Sequence, residues 1–190
     1  MNPLGCKYYN EDDLINFGIL KVGTNVSVAE NATIVGLDKI SLGNNIRIDS
    51  HVVILSKRGP LTIGNNVHIE PNCSIVSHFG IIIGDYCTLS HGSRLYTASA
   101  NYSGEYHTNV FPDPSYQVPY TGEIILEDHV ILGGNSVVMP GVLLQEGAAV
   151  GALSFVRNSL GGWAIYGGNP IRKIRERTKG TKDITNRQKI

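Results

Sequence analysis

The side chains of this 190-residue chain that are best suited to acid–base chemistry are its six histidines. The ordinary pKa of histidine lies close to neutral, so each could take up or release a proton near pH 7. Three are candidates for catalysis or substrate binding: His78 in IVSHFG, His91 in LSHGS and His107 in EYHTN. The other three are expected to be outward residues that stack or form hydrogen bonds: His51, His68 and His129. What each can do depends on the elements that hold it.

The element that dominates the chain is a six-residue repeat, clearest from Leu126 to Val156. An aliphatic residue returns at every sixth position: Leu126, Leu132, Val138, Leu144, Val150 and Val156. A second, usually smaller, residue follows each of the first five after four positions: Val130, Ser136, Val142, Ala148 and Ser154. Neither a helix nor an ordinary strand has this period, whereas hexapeptide repeats indicate a β-helix. Each unit then forms one side of a coil, and three units complete a turn.

The same pattern occurs upstream in phase, with turns that start at Val22, Leu42, Ile63 and Ile83. Each turn is eighteen residues plus a corner of two or three, so an all-β parallel β-helix of about six turns is predicted. Cys73 and Cys87 fall on the small inward position and are expected to be buried packing thiols, because free cysteine behaves as a small hydrophobe. Three cysteines do not make a disulfide framework, which favours a reducing, cytoplasmic setting.

Three segments depart from the repeat. Residues 1–21 are predicted to be an N-terminal cap, with a helix that begins at Asn10 and ends at Gly18. Its apolar residues are Leu14, Ile15 and Phe17. Residues 98–123, rich in tyrosine and proline, are predicted to be an arm that protrudes from the β-helix of residues 22–160. Residues 161–190 are predicted to be a C-terminal segment with a helical, basic tail.

Composition excludes some classes of partner. The formal net charge is zero, which argues against binding to nucleic acid, since that affinity depends on neutralising phosphates. No apolar run approaches the roughly 20 residues that span a membrane, and residues 1–10 do not resemble a signal peptide.

The in-phase hexapeptides, the interrupting arm, and the segments GGNSVVMPGV, GALSFVRN and YGGNPIRKI resemble the hexapeptide-repeat acyltransferases. The resemblance runs from about Val22 to Arg175 and is strongest to the branch that modifies sugars. It implies a left-handed parallel β-helix, a homotrimer, acetyl-CoA as donor, and active sites between neighbouring prisms. The arm sequence YSGEYHTN, followed by a proline-rich stretch, is most similar to the acyltransferases of O-antigen and of nucleotide-linked amino sugars.

The resemblance also implies a donor site. It identifies Gly134 and Ala152 with the coenzyme A positions of the family, one turn apart. The pair Arg157 and Asn158 corresponds to a Thr-Lys pair that contacts the coenzyme. Arg172 corresponds to the basic residue that follows Gly-x-Pro, and Arg175 is a further candidate for the phosphates because arginine binds them through its planar fork.

On the acceptor side, the resemblance shows a departure. Ala100 stands where galactoside-type members carry the catalytic histidine. An alcohol must lose its proton as it attacks a thioester, whereas a neutral amine needs less help. The sequence therefore favours N-acetylation of a nucleotide-linked amino sugar. O-acetylation of a galactoside, maltose or O-antigen sugar is the alternative, and a non-catalytic β-helix scaffold is the alternative from another class.

Other residues can replace the missing histidine. His78 corresponds to a sugar-binding Asp of galactoside-type members, and Glu70 to a sugar-binding Asn. We predict that His78, assisted by Glu70, is the base or an acceptor ligand. The remaining acceptor candidates are His91, His107, Asn101 and Tyr102.

No metal is expected. The γ-class carbonic anhydrases share the fold and bind zinc through three histidines, two of them close together in sequence. Here His78 and His91 are thirteen residues apart, and no His-x4-His pair occurs.

Overall fold

The computed structural model describes residues 5–109 and 113–188. The ends of the predicted cap and tail, at 1–4 and 189–190, and residues 110–112 of the predicted arm lie outside the described residues. The repeat folds, as predicted, into a left-handed parallel β-helix whose three flat sides are three sheets. Each coil contributes one short strand to each sheet, and the strands pair in register with those of the coils above and below.

We call the three sides faces 1, 2 and 3, in the order in which the chain visits them. Face 1 contains Lys21–Val22, Ile40–Leu42, Leu61–Ile63, Ile81–Ile83, Ile124–Leu126 and Leu143–Leu144. Face 2 contains Val26–Ala29, Ile46–Ile48, Val67–Ile69, Thr88–Leu89, Ile131–Leu132, Ala149–Val150 and Ala164–Gly167. Face 3 contains Thr33–Val35, Val53–Leu55, Ser74–Val76, Arg94–Tyr96, Val137–Val138 and Phe155–Val156.

The β-helix is longer than predicted, with about seven turns rather than about six. The added side is the strand Ala164–Gly167, which continues face 2 in parallel with Ala149–Val150. Its inward residues Ala164 and Tyr166 are buried, although the glycines of Gly161-Gly162 interrupt the hexapeptide pattern before them. The coil therefore extends past residue 160, the boundary predicted from sequence.

The interior is filled by the residues that the period identifies. All six aliphatic positions from Leu126 to Val156 are buried, as is the smaller position that follows each of the first five. The serines at that smaller position satisfy their hydroxyls locally, which makes them acceptable inside an apolar prism. In Ser93, Ser136 and Ser154 the Oγ atom donates to the carbonyl oxygen three residues earlier, at 2.6, 2.6 and 2.7 Å.

The two inward cysteines are packing residues, as predicted. Burial raises the pKa of the Cys73 thiol to about 11 and that of the Cys87 thiol to about 12. Since the thiolate is the reactive form, neither side chain supplies a nucleophile at neutral pH.

The N-terminal cap has the predicted helix, Glu11–Asn16, held by a capping box in which Asn10 and Asp13 exchange side-chain-to-backbone bonds. Only Leu14 of the three predicted apolar residues is buried; Ile15 and Phe17 are exposed, because a helix of six residues turns one side to the core. Phe17 instead meets the ring of Tyr9 edge-on. The strand Tyr8–Tyr9 pairs antiparallel with Val26–Ala29 and closes face 2 at this end.

The C-terminal basic segment differs from the helical tail that was predicted. Arg172–Glu176 is a strand, antiparallel to Ala164–Gly167, and the helix comes later, at Gly180–Gln188. The Arg177 guanidinium anchors the turn between them by donating to the carbonyl oxygens of His129 and Gly147, at 2.8 and 3.0 Å.

The three histidines that were not candidates for catalysis or substrate binding all contact neighbouring side chains of the β-helix. His129 stacks on Tyr86, with ring centroids 5.0 Å apart. His68 Nε2 lies 2.7 Å from the carboxylate of the buried Asp49, and His51 Nε2 lies 3.4 Å from the Asn31 amide. Stacking and hydrogen bonding are therefore confirmed for these positions.

The arm leaves the prism where face 3 turns into face 1. Ala98–Ser99 and Tyr120–Thr121 pair antiparallel at its base, and a 3-10 turn, Pro114–Tyr116, lies near its tip. Because Ile83 pairs with Leu126 across the interruption, the arm does not disturb the register of the coils. A second 3-10 turn, Leu37–Lys39, lies at the equivalent corner of the first coil.

Candidate active site

One edge of the prism, between faces 2 and 3, carries a column of small residues. Leu89, Leu132, Val150 and Tyr166 are in register on face 2, so the residues two positions later are stacked coil by coil. These residues are His91, Gly134, Ala152 and Gly168, which we call the edge column. At about 4.8 Å per coil the column is about 14 Å long. The predicted one-turn spacing of Gly134 and Ala152 is therefore confirmed.

The middle of the edge column is a shallow, exposed strip of backbone. A Cβ atom on Gly134 would have one near neighbour, the His91 carbonyl oxygen at 3.3 Å, so the space outside it is open. Ala152 is exposed and carries only a methyl group. Backbone bonds from Asn135 N to His91 O and from Leu153 N to Gly134 O, at 2.8 and 2.9 Å, hold the strip flat. An extended, thin ligand could lie along it.

A small hollow of about 190 Å³ lies at the C-terminal end of this edge. Its lining includes Arg157, Asn158 and the turn Asn169-Pro170. Arg172 begins the next strand, opposite Gly167, and so lies beside the last member of the column. Two of the predicted donor residues, Arg157 and Asn158, thus line the hollow, and a third, Arg172, lies next to the end of the edge column. Arg175 is opposite Ile165, further along the strand and away from the hollow.

The other end of the edge column begins with His91. Its Nδ1 atom lies 2.5 Å from Glu70 Oε2, and the same carboxylate oxygen accepts the backbone N–H of His91 at 3.1 Å. Glu70 comes from the preceding coil. The imidazole is largely exposed, with 65% of its side-chain surface accessible.

The arm forms a separate pocket of about 310 Å³ at the edge between faces 3 and 1. His78, Asn101 and His107 line it, together with Ala100. The corner of His78 is fixed by the buried Thr97, whose Oγ1 accepts the backbone N–H groups of His78 and Phe79 at 2.7 and 3.1 Å. Asn101 also borders a second hollow of about 410 Å³, with Tyr102 and Tyr120.

Arg58 also lines the arm pocket, although it was not among the site residues predicted from the sequence. It stands in the corner SKRGP, which is one residue longer than the preceding corner. Ser56 Oγ donates to the Gly59 carbonyl at 2.7 Å, and Lys39 Nζ donates to the Lys57 carbonyl at 2.8 Å, so the corner is held in shape. The extra corner residue was the sequence feature that could have identified Arg58 as a candidate.

Glu70 and His78, predicted to act together, do not meet within the protomer. Glu70 precedes the face 3 strand Ser74–Val76 and His78 follows it, so they lie at opposite edges of that face. Among the described residues the His78 imidazole has no hydrogen-bond partner, whereas Glu70 is bonded to His91. His107, which also lines the arm pocket, packs against the ring of Tyr116.

The described ranges, 5–109 and 113–188, contain no group of three or more His, Cys, Asp or Glu side chains arranged to hold a metal ion. No helix within them is both long enough and apolar enough to cross a bilayer.

Comparison with known proteins agrees with this architecture. The family described as the hexapeptide repeat of succinyl-transferase matches residues 60–96 and 123–156, on the two sides of the arm. The dTDP-4-amino-4,6-dideoxy-D-glucose acyltransferase of Escherichia coli is 36% identical over 172 residues, which cover 90% of each chain.

Solved structures extend the comparison. AntD, an N-acyltransferase from Bacillus cereus in complex with dTDP and 3-hydroxybutyryl-CoA, is 35% identical, with a TM-score of 0.91 and 96% of each chain covered. An AntD variant in complex with dTDP-4-amino-4,6-dideoxyglucose and coenzyme A is 32% identical, with a TM-score of 0.87 over 96% of this chain and 97% of that one.

The fold, together with this similarity along almost the whole chain, identifies the class of β-helical acyltransferases. The chain belongs to the sugar-modifying branch of the hexapeptide-repeat acyltransferases.

The anchoring of the His78 corner gives a prediction about stability. Thr97→Val keeps the shape of the side chain but removes the acceptor of two backbone N–H groups, each of which costs about 1–3 kcal/mol when buried and unsatisfied. We expect a lower free energy of unfolding in urea titrations. Thr88→Val is the control, because the Thr88 hydroxyl has no hydrogen-bond partner among the described residues. Equal losses in the two variants would contradict the anchoring role.

Proposed function

We propose that this protein transfers an acetyl group from acetyl-CoA to the amino group of a nucleotide-linked amino sugar. The observation that carries the proposal is similarity along almost the whole chain to N-acyltransferases of such sugars, including AntD with dTDP and an acyl-CoA bound. The arm pocket and the edge column support it, because they offer one polar site and one thin groove. Buried free thiols suit a cytoplasmic enzyme, and the acceptor suits surface polysaccharide biosynthesis, such as that of lipopolysaccharide.

On the donor side, we propose that pantetheine lies along Gly134 and Ala152. Its amides can pair with the exposed backbone of the strip, and small side chains leave it room. The coenzyme phosphates then fall at the C-terminal end, near Arg157, Asn158 and Arg172. Charged hydrogen bonds of this kind are stronger than neutral ones. Arg175 is further from this end, and we propose only that it adds to the positive electrostatic potential around the phosphates.

On the acceptor side, we propose that the nucleotide-linked sugar occupies the arm pocket. Its diphosphate needs cationic and hydrogen-bonding groups, and Arg58 lines this pocket together with His78 and His107. Asn101 and Tyr102, at the base of the arm, are proposed sugar contacts. His78 remains a proposed acceptor ligand or base.

We propose that the protein is a homotrimer with sites between protomers. Face 3 supports this, because one of its outward columns is almost wholly apolar: Val35, Leu55, Val76, Tyr96 and Met139. On face 1 the outward column is polar only in the first coils, at Lys21, Ser41 and Thr62, and continues with Ile82, Ile125 and Leu143. A closed cyclic assembly buries one such face on every protomer.

The donor proposal predicts that Ala152→Trp abolishes binding of acetyl-CoA, because the indole fills the strip. Isothermal titration calorimetry measures the binding, and thermal unfolding checks that the coil is intact. Thr62→Trp, an equally bulky change on face 1, should bind normally. Arg172→Ala should weaken binding by about 1.5–3 kcal/mol if the guanidinium holds a phosphate. Unchanged affinity in both Ala152→Trp and Arg172→Ala would refute this donor site.

The activity itself is tested by coenzyme A thiol release with acetyl-CoA and a dTDP-linked 4-amino sugar, against free galactosides and maltose. We expect turnover with the amino sugar. Arg58→Met should then raise KM for the nucleotide sugar at least tenfold, the loss of about one charge-assisted contact. Lys57→Met, one residue away, is the matched control.

Other outcomes of these assays would distinguish the alternative functions. Turnover of galactosides alone would favour O-acetylation, and binding without turnover of any acceptor would favour a scaffold. A normal KM in Arg58→Met would remove Arg58 from the diphosphate site without affecting the activity.

The trimer proposal predicts that Val76→Asp, which puts a charge on the apolar column, produces monomers with reduced turnover. Thr62→Asp on face 1 should leave the trimer intact. Light scattering at micromolar concentration measures the mass. A wild-type protein that is monomeric in this range would contradict the proposal.

A further inference from the structure

We propose that Glu70 and His91 form the pair that accepts the proton of the attacking amine, with His91 as the catalytic residue and Glu70 as its positioning residue. The inference rests on the proposed function and deepens it. It assigns proton transfer to the edge column rather than to the arm pocket, and so to residues other than His78.

The first support is the geometry of the pair. One carboxylate oxygen of Glu70 holds both the Nδ1 atom and the backbone N–H of His91, at 2.5 and 3.1 Å. A carboxylate accepts only, so the neutral ring carries its hydrogen on Nδ1 and leaves the lone pair on Nε2. Nucleophile-activating histidines are oriented by a third group in the same way. Among the described residues, Nε2 has no hydrogen-bond partner, and the ring is exposed.

The second support is the position of His91. It is the first member of the edge column, directly before Gly134 and Ala152. If the coenzyme phosphates lie at the Arg172 end, the pantetheine arm runs back along the strip toward His91. The thioester is at the free end of that arm. The imidazole therefore stands where the acyl carbon would be attacked.

The third support is the contrast with His78. That side chain has no carboxylate partner among the described residues and lies at the opposite edge of face 3. It is placed to contact an acceptor in the arm pocket, but no described residue fixes its tautomer. In a trimer with sites between protomers, the arm pocket of one protomer and the edge column of the next can face the same cleft. Glu70 and His91 then supply the general base that galactoside-type members carry at the position of Ala100.

In the proposed reaction, the amine nitrogen attacks the thioester carbon, and a C–N bond forms as the carbonyl becomes an oxyanion. Nε2 of His91 takes one proton from the nitrogen. The oxyanion collapses, the C–S bond breaks, and the imidazolium returns that proton to the sulfur. The products are the amide and the free thiol of coenzyme A, with no net change in the enzyme.

Kinetic measurements on variants test the roles. His91→Ala should lower kcat by about 10²–10⁴-fold, the usual contribution of a general base, with little change in KM for acetyl-CoA. Free imidazole should restore part of the lost rate. Glu70→Ala should lower kcat with KM for acetyl-CoA unchanged, and Glu70→Gln, which keeps an acceptor oxygen, should restore part of it. His51→Ala is the matched control, an exposed histidine of the same edge.

A second measurement tests the position of His91 without any acceptor. Diethyl pyrocarbonate modifies accessible imidazoles, and mass spectrometry locates the modified residues. Acetyl-CoA should protect His91 and leave His51 reactive. If the amino sugar proves not to be the substrate, this measurement still decides whether His91 lies at the donor site.

Three results would overturn the inference: His91→Ala with kcat within about threefold of the wild type, a loss in His91→Ala that imidazole does not restore, or no protection of His91 by acetyl-CoA. A loss of activity in His78→Ala, together with normal kcat in His91→Ala, would return the role of base to His78.

Discussion

The inward column of aliphatic side chains sets the geometry on which every other feature of this protein depends. Each coil can bury its apolar residues only if they stack on those of the coil below, and the backbone hydrogen bonds between coils are formed in that same register. Ile69, Leu89 and Leu132 illustrate this, since they are fully buried and aligned on consecutive coils. A shift of one residue would turn the whole inward set toward solvent.

This constraint also determines the surface at the corners of the prism. Because the inward residues are in register, the residues at the corners are in register too, and a corner becomes a column of equivalent positions. Glycine or alanine in successive coils then produces a strip of exposed backbone, as at Gly134 and Ala152. Where larger polar residues occupy the corner, they reach one another across coils, as Glu70 and His91 do. The same architecture provides both a strip of exposed backbone and a hydrogen-bonded carboxylate–imidazole pair.

The arm adds what a regular prism cannot provide. A flat face has no concave site, and the excursion between face 3 and face 1 creates a pocket that side chains of adjacent coils also line. The paired strands at its base, Ala98–Ser99 and Tyr120–Thr121, let the chain leave and return without a change of register. Insertions at a corner are tolerated for this reason, since the coils on either side keep their register.

The sequence by itself determined the repeat, the inward residues, the position of the arm and the one-turn spacing of Gly134 and Ala152. A period of six is local information, and each unit follows from the one before it. The structure alone decided the contacts between coils. Glu70 and His91 are 21 residues apart, which is close to the length of one coil. This separation was the sequence feature that could have indicated their contact. The edge of the prism that each residue occupies, however, depends on the lengths of the corners. The same holds for Arg58, which an extra corner residue turns toward the arm.

The C-terminal end shows the limit most clearly. The sequence of Arg172–Glu176 does not alternate between apolar and polar residues, and all five side chains are exposed. Nothing in its own sequence distinguishes it from a solvated tail. It becomes a strand because Ala164–Gly167 offers an unpaired edge of face 2, and backbone groups at such an edge are stabilised when they are paired. Only the folded β-helix provides that edge, and only there does Arg172 come to lie beside Gly168.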